Sequence, residues 1–188
     1  MVNTVSNSVN RMTNLMIQLR SGARQTVQSD VELAELLKNV LAECRLRTPI
    51  PELIQVDGKF ALRCDRERLQ TVFEHLVQNA QEATGKGGHV TVRLLSNYGS
   101  ALVEIEDDGV GMNEHFVKHR LFKPFDSTKG LTGMGIGAFE SREFIRSLGG
   151  DIDVQSTPGR GSVFRVSIPC AEESGTGHTD IQLKGNIH

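Results

Sequence analysis

Four short runs in this chain combine residue types and spacings that could do chemistry: His75-Leu76-Val77-Gln78-Asn79, Asp107-Asp108-Gly109-Val110-Gly111, Gly133-Met134-Gly135-Ile136-Gly137 and Thr157-Pro158-Gly159-Arg160-Gly161. Asn79 offers a neutral amide oxygen, and a magnesium ion already neutralised by phosphates needs only one or two such protein oxygens beside its waters. Asp107 enters a glycine turn that permits close ligand approach. A carboxylate held there can accept a hydrogen bond from an exocyclic amine such as the 6-amino group of a purine. Gly133, Gly135 and Gly137 alternate just ahead of a helical segment, where backbone N–H groups and the positive helix end converge on phosphate oxygens. The last run is a Pro-Gly turn that can close a pocket. Each has a plain reading alone: an amide on a helix surface, an ordinary Asp-Asp-Gly turn. In combination they describe a site for ATP. The spacing supports neither a P-loop nor a dinucleotide fold, because there is no G-x-x-x-x-G-K-[ST] loop and the glycine triplet is too compact for G-x-G-x-x-G. Between the glycine runs, Phe122 and Phe125 can pin a flap to the core. Lys129 either reaches a terminal phosphate or is a surface lysine.

The elements that must position these residues follow from the hydrophobic period. A chain of 188 residues with 38% apolar and 23% charged residues supports one main domain and a small appendage. Residues 4–20 place Val5, Val9, Met12, Met16 and Leu19 at helical spacing, giving an amphipathic helix that docks on its own domain or pairs with a second chain. Ser29 and Glu32 read as a capping box opening a helix with Leu33, Leu36, Leu37, Val40 and Leu41. Pro49 and Pro51 end that region. Residues 60–64 read as a short strand, with Asp65 capping the next helix. That helix, over 66–84, is the strongest periodic segment: Leu69, Val72, Phe73, Leu76, Val77, Ala80 and Ala83 form its apolar stripe, and His75, Asn79 and Glu82 share its margin. The period then changes to strand, with a hairpin over 90–94 and 101–106 running straight into Asp107. An irregular stretch follows over 112–132, then a helix over 137–148 ended by Gly149-Gly150. Strands at 151–155 and 162–168 complete the domain, and 171–188 reads as a disordered tail.

Bulk properties narrow the partners. With 21 basic and 23 acidic residues and a net charge of −2, no broad electrostatic footprint argues for nucleic acid. Cys44, Cys64 and Cys170 are widely spaced with no C-x-x-C pair, and read as inert, reduced thiols. No signal peptide is visible, and no apolar run approaches the ~20 residues that span a bilayer.

The motifs resemble the N, G1, F, G2 and G3 boxes of the catalytic, ATP-binding domain of sensor histidine kinases, within the wider GHKL ATPase superfamily. The likeness covers 31–169, with five boxes in family order. Within the superfamily, 75–84 and 133–150 look most like the PEP-CTERM-associated sensor kinases. The resemblance implies an α/β fold, a Bergerat two-layer α/β sandwich with a mixed sheet covered on one face by helices. It divides the chain into the end of a dimerisation and phosphotransfer helix over 1–24, the ATP-binding domain over 25–170 and the tail. It implies ATP and Mg²⁺ as cofactors. Asn79 would bind the metal, Asp107 the adenine amine, and Gly109 and Gly111 would shape the base pocket. Glu82, Ala83 and Met112 would line the nucleotide site. Phe122 and Phe125 would be the F box, followed by Ser127, Thr128 and Lys129 of a short lid like that of nitrogen-regulator-type kinases. Gly133, Met134, Gly135, Ile136 and Gly137 would hold phosphates, and Gly159, Gly161 and Ser162 would close the adenine side.

The implied reaction is transfer of the ATP γ-phosphoryl to a histidine on a dimerisation domain, for relay to a response regulator receiver domain. A homodimer through the N-terminal helix, and a cytoplasmic domain whose parent is associated with the inner membrane, are implied by the same analogy. His75 and Lys129 are the catalytic candidates. The first N-box position holds asparagine in histidine kinases and a water-activating glutamate in gyrase- and MutL-like ATPases. Here it is His75, which can bond phosphate, act as a base near neutral pH, or serve as a polar spacer. Since His75 is the first histidine, no phosphoacceptor box precedes the catalytic boxes, and the chain is expected not to label itself. Three rival readings share the boxes: an ATP-hydrolysing GHKL machine, an anti-sigma-factor serine kinase, and a nucleotide-binding interaction module without transfer activity.

Overall fold

The computed structural model describes residues 27–56, 58–124 and 136–170. The expected helix over 4–20, the stretch 125–135 and the tail lie outside them. In chain order the elements are β1 (Gln28–Glu32), α1 (Leu33–Cys44), β2 (Glu52–Val56), β3 (Ala61–Asp65), α2 (Arg66–Ala83), β4 (Val90–Asn97), β5 (Ser100–Asp107), α3 (Glu114–His119), α4 (Gly137–Ser147), β6 (Asp151–Thr157) and β7 (Gly161–Pro169).

Strands of period two need one covered face, and the five-stranded sheet, ordered β2-β4-β5-β7-β6, has its helices on one side. β2 runs parallel to β4 and the other neighbours are antiparallel. Val92, Leu94, Val103, Ile105, Phe164 and Val166 point into the core, where they join Leu36, Leu37, Leu76, Val77 and Ile145 from the helices. On the opposite face Glu104 lies 2.7 Å from Arg165 and 3.8 Å from Arg93, and Arg93 also meets Glu106 at 2.6 Å. Charge therefore covers the sheet where helices do not. This is the expected two-layer α/β sandwich with a mixed sheet.

α2 buries Leu69, Val72, Phe73, Leu76, Val77 and Ala80 as its stripe requires. Asp65 caps it by accepting from the Arg68 amide at 3.1 Å. α4 ends in a left-handed Gly149 (φ +81), and the amides of Gly149 and Gly150 donate to the carbonyls of Arg146 and Ile145, both at 3.0 Å. That is the hydrogen-bond pair of a Schellman motif.

Three expectations change. Ser29 does not cap a helix: it pairs with Cys64 in a two-stranded antiparallel sheet, β1 with β3. Glu32 is itself the cap of α1, its carboxylate accepting from the amides of Ala34 at 3.2 Å and Glu35 at 2.7 Å. The ladder claims the backbone of 28–32 as extended chain, and the helix starts one residue later. β2, just past Pro51, was not expected; it is an edge strand with Ile54 and Val56 exposed, so it lacks the alternating burial that marks a strand. Finally, the stretch expected to be irregular holds α3, whose Asn113 cap accepts from the Phe116 amide at 2.8 Å. Six residues burying one Phe116 are too short to show a period.

Cys44 and Cys64 are buried free thiols. Burial pushes Cys64 up to about 11, which keeps thiolate scarce near neutral pH. Among the described residues no helix is long and apolar enough to cross a membrane.

Candidate functional site

Asp107 ends β5 on its core-facing register and is 4% exposed. Burial pushes its carboxyl above the ordinary value; hydrogen bonds from the Gly109 amide and from Ser162, its cross-strand partner on β7, oppose that rise. The Gly109 bond is 2.9 Å. An acceptor is thus fixed at a strand end.

Two turns clasp this carboxylate for steric reasons. A Cβ on Gly109 would overlap the Ala83 carbonyl, and the Val110 amide donates to that same carbonyl at 3.0 Å. The loop after β5 therefore satisfies one of the carbonyls left open at the C-terminal end of α2. On the other side Gly111 (φ +62) lies against the Thr157 carbonyl and Gly161 (φ +91) against the Asp107 carbonyl, both too close for a side chain. The Gly159 amide closes the clasp by donating to Val110 O at 2.8 Å. Met112 packs on the core, and its amide donates to Ser156 Oγ at 2.7 Å.

The other end of the site lies back along α2. Asn79 precedes Ala83 by one turn and His75 precedes Asn79 by another; at 1.5 Å rise per residue the three span ~12 Å. The His75 imidazole lies against the first residue of α4: a Cβ on Gly137 would run into the ring. Ile136 precedes that helix, and its side chain makes no capping hydrogen bond to the first-turn amides, the groups on which an anion site at a helix start draws.

The structure thus brings Ala83, Asp107, Gly109, Gly111, Met112, Gly161 and Ser162 together at one end and His75, Ile136 and Gly137 at the other, with Asn79 between. Glu82 is half-exposed and engages Arg47 at 3.4 Å, in the α1–β2 connection. Phe122 is partly buried and packs against the core. Phe125, Ser127, Thr128, Lys129, Gly133, Met134 and Gly135 lie outside the described residues.

Three residues at or behind the site escape a sequence reading. Arg142 of α4 holds its guanidinium 4.4 Å over the Phe122 ring while gripping Asp151 of β6 through two bonds of 2.8 and 3.1 Å. One cation so joins Phe122, helix and sheet. Gln81 is buried, its Nε2 lying within 2.8–3.2 Å of the carbonyls of Cys44, Arg47 and Pro49, which ties α2 to the chain after α1. A glutamine one turn beyond Val77 of the apolar stripe was the available signal. Ser156 joins β6 to β7 and to the loop carrying Met112, and lines, with Phe122, Arg142 and Thr157, a 550 Å³ cleft behind the clasp.

Comparison with known proteins adds an independent line. The family described as histidine kinase-, DNA gyrase B- and HSP90-like ATPase matches residues 64–172. Sporulation kinase C of Bacillus subtilis is 34% identical over 149 residues, 76% of this chain. The chain spans 34% of that protein's length, and 18% of the related sporulation kinase E. The nucleotide-free catalytic domain of histidine kinase ThkA superposes with a TM-score of 0.66 at 29% identity, covering 77% of this chain and 96% of that one. The structure of ThkA in complex with response regulator TrrA shares the fold at TM-score 0.66 and 23% identity, over 92% of this chain and 51% of that one.

Proposed function

Because the chain belongs to the histidine kinase-, DNA gyrase B- and HSP90-like ATPase family, we propose that it is the ATP-binding catalytic domain of a sensor histidine kinase, which transfers the γ-phosphoryl to a histidine on a separate helical domain. One observation carries the reading: the buried Asp107 is clasped between the β6–β7 turn and the end of α2, the helix that carries Asn79 one turn back and, two turns back, the imidazole at the start of α4. A base acceptor, a metal ligand and a helix N-terminus are then laid out in the order in which a nucleotide presents its base and phosphates.

The chain's own contribution is positioning and charge complementarity, not a covalent nucleophile. Asp107 selects and orients the base, the clasp excludes water from it, and the α4 amides face the phosphates. Among the described residues no group of three or more His, Cys, Asp or Glu is gathered to cage a metal ion. The donor set fits Mg²⁺ bound mainly through phosphates and water, with the Asn79 amide oxygen as protein ligand. When bound, Mg²⁺ would neutralise charge on the phosphates. Lys129 and the rest of 125–135 are proposed to complete the phosphate end. His75, seated against Gly137, is proposed as a polar brace of the α4 start, the reading its packing favours over that of a base.

The acceptor domain, relay to a receiver domain, dimerisation and a membrane-associated parent are proposed from the likeness to sensor kinases. ThkA is known in complex with a response regulator, which supports the relay by analogy. The test supplies a dimeric phosphoacceptor helix pair in trans with labelled ATP and Mg²⁺. The expected product is acid-labile, base-stable phosphohistidine on the added helices and none on this chain. Hydrolysis to ADP without transfer would identify an ATPase, and acid-stable label on a partner would identify a serine kinase.

A further inference from the structure

We infer that residues 171–188 of this chain dock back onto it, in the groove between α1 and the edge strand β2. Ile181 and Leu183 lie on the floor of that groove, and the acidic residues of the segment meet Lys38 and Arg45. The docking is independent of the nucleotide site.

Exposed aliphatic side chains gather at one place. Leu46, Ile50, Ile54 and Val56, each 40% exposed or more, lie between the end of α1 and the end of β2. Beside them is a groove of 530 Å³ with Leu41, Ile50, Leu53 and Ile54 along its floor. Its wall is preformed, because Gln81 holds the chain after α1 through the carbonyls of Cys44, Arg47 and Pro49. A site that needs no ordering binds at less cost. Lys38 and Arg45 also line it, about two helical turns or ~10 Å apart on α1. Glu52 is close by, yet among the described residues neither cation is in an ion pair, whereas Arg47 meets Glu82 and Arg66 meets Glu35. β2 itself has a bulge after Leu53. A bulged edge resists the addition of another strand, so the occupant lies in the groove.

Charge and reach select that occupant. Residues 1–26 carry Arg11, Arg20 and Arg24 and no acidic residue, so the two cations repel them. A groove-to-groove contact between two copies would set the same cations against each other. Residues 171–188 carry Glu172, Glu173 and Asp180 against one Lys184. Ile181 and Leu183 are spaced two apart, so an extended chain puts both on one side. The segment leaves from the end of β7, three strand spacings or about 14 Å from β2. Leu53 pairs with Val92, about 17 Å back along β4 from the level of Pro169. With the depth of the helix layer the path is ~25 Å, and the ten residues 171–180 reach up to ~33 Å. A tethered segment has a millimolar effective concentration, so one that binds at only about 0.1 mM when free stays about nine-tenths docked. The apolar patch is then covered by the chain itself.

Hydrogen exchange of the full chain, read by mass spectrometry, tests the docking, with a thermal melt of each variant. In the unaltered protein, exchange over 179–184 is expected to be slowed about tenfold, independently of protein concentration. The slowing should be lost in Ile181→Ser/Leu183→Ser and in Lys38→Glu/Arg45→Glu. It should return when the second pair is combined with Glu172→Lys, Glu173→Lys and Asp180→Lys, a rescue that damage to the groove would not allow. If the groove variant fails to fold, Ile181→Ser/Leu183→Ser is read alone by the same criterion. Absence of slowing in the unaltered chain overturns the inference, as does slowing that survives either pair or is not restored by the reversal. Slowing that grows with protein concentration also overturns it, because the groove is then filled by a second copy.

Discussion

Asp107 is costly to the fold and useful to the site for the same reason. Its burial raises the free energy of the charged form, and an amine from a ligand would compensate for water it has lost. Asp107→Ala should weaken ATP binding by about 1–3 kcal/mol, the penalty of leaving a buried donor unpaired, measured by calorimetry. Asp151 behaves oppositely. The Arg142 guanidinium, with Arg146 and the Ile152 amide, holds its carboxyl well below the ordinary value of 3.8. A depressed folded-state pKa contributes stability above the unfolded value, which is lost as pH falls through the folded one. Asp151→Asn should therefore lower the melting midpoint at pH 7, by a margin that shrinks steadily below pH about 4. A difference that stays constant down to pH 2 would show the ion pair to be idle. The burial of Asp107 was legible in the sequence because an alternating strand runs straight into it; its role at a base was expected only from the company of the other motifs, since Asp-Asp-Gly alone is an ordinary turn. Arg142 was not: its partners Phe122 and Asp151 lie 20 and 9 residues away in opposite directions, and nothing local in an arginine on an amphipathic helix announces them.

Among the elements, α2 and α4 would decide the geometry of the proposed phosphate end, and they meet where His75 lies against Gly137. Alanine normally improves a helix over glycine by about 1 kcal/mol. Here the methyl group would enter the ring, and forcing extra atoms into a packed contact costs about 1–3 kcal/mol. Gly137→Ala should therefore destabilise in urea unfolding, whereas the same change in a His75→Ala background should stabilise; no coupling between the two would separate the ring from the helix start. Both helices were legible, since eleven or more residues repeat the 3.6 period several times and their ends carry Asp65 and Gly149. The β1–β3 pair, edge strand β2 and short α3 were not. Each depends on a long-range partner or is too brief to display periodicity, and the Ser29–Glu32 spacing imitated a helix start on residues that a cross-strand ladder holds extended.

At the scale of the whole molecule, the sheet separates two kinds of work. One face takes the helices and the apolar core; at its end, β5, β7 and β6 present the Asp107 clasp. The order of the motifs along the chain was readable; their convergence on one ligand was expected from the different chemical part each would supply, and the structure brings Asp107, the Gly109–Gly111 loop and the Gly161 turn together. What no sequence displays is which parts the folded scaffold already holds. The clasp is made of ladder bonds, turn amides and the end of α2, all of them part of the fold. The proposed base site should thus exist before any nucleotide arrives, and it should not distinguish a triphosphate from what remains after transfer. ADP should consequently compete with ATP within about tenfold of its affinity, one further phosphate contact apart, so that turnover slows as the spent nucleotide accumulates; a displacement titration with ADP measures this product inhibition directly.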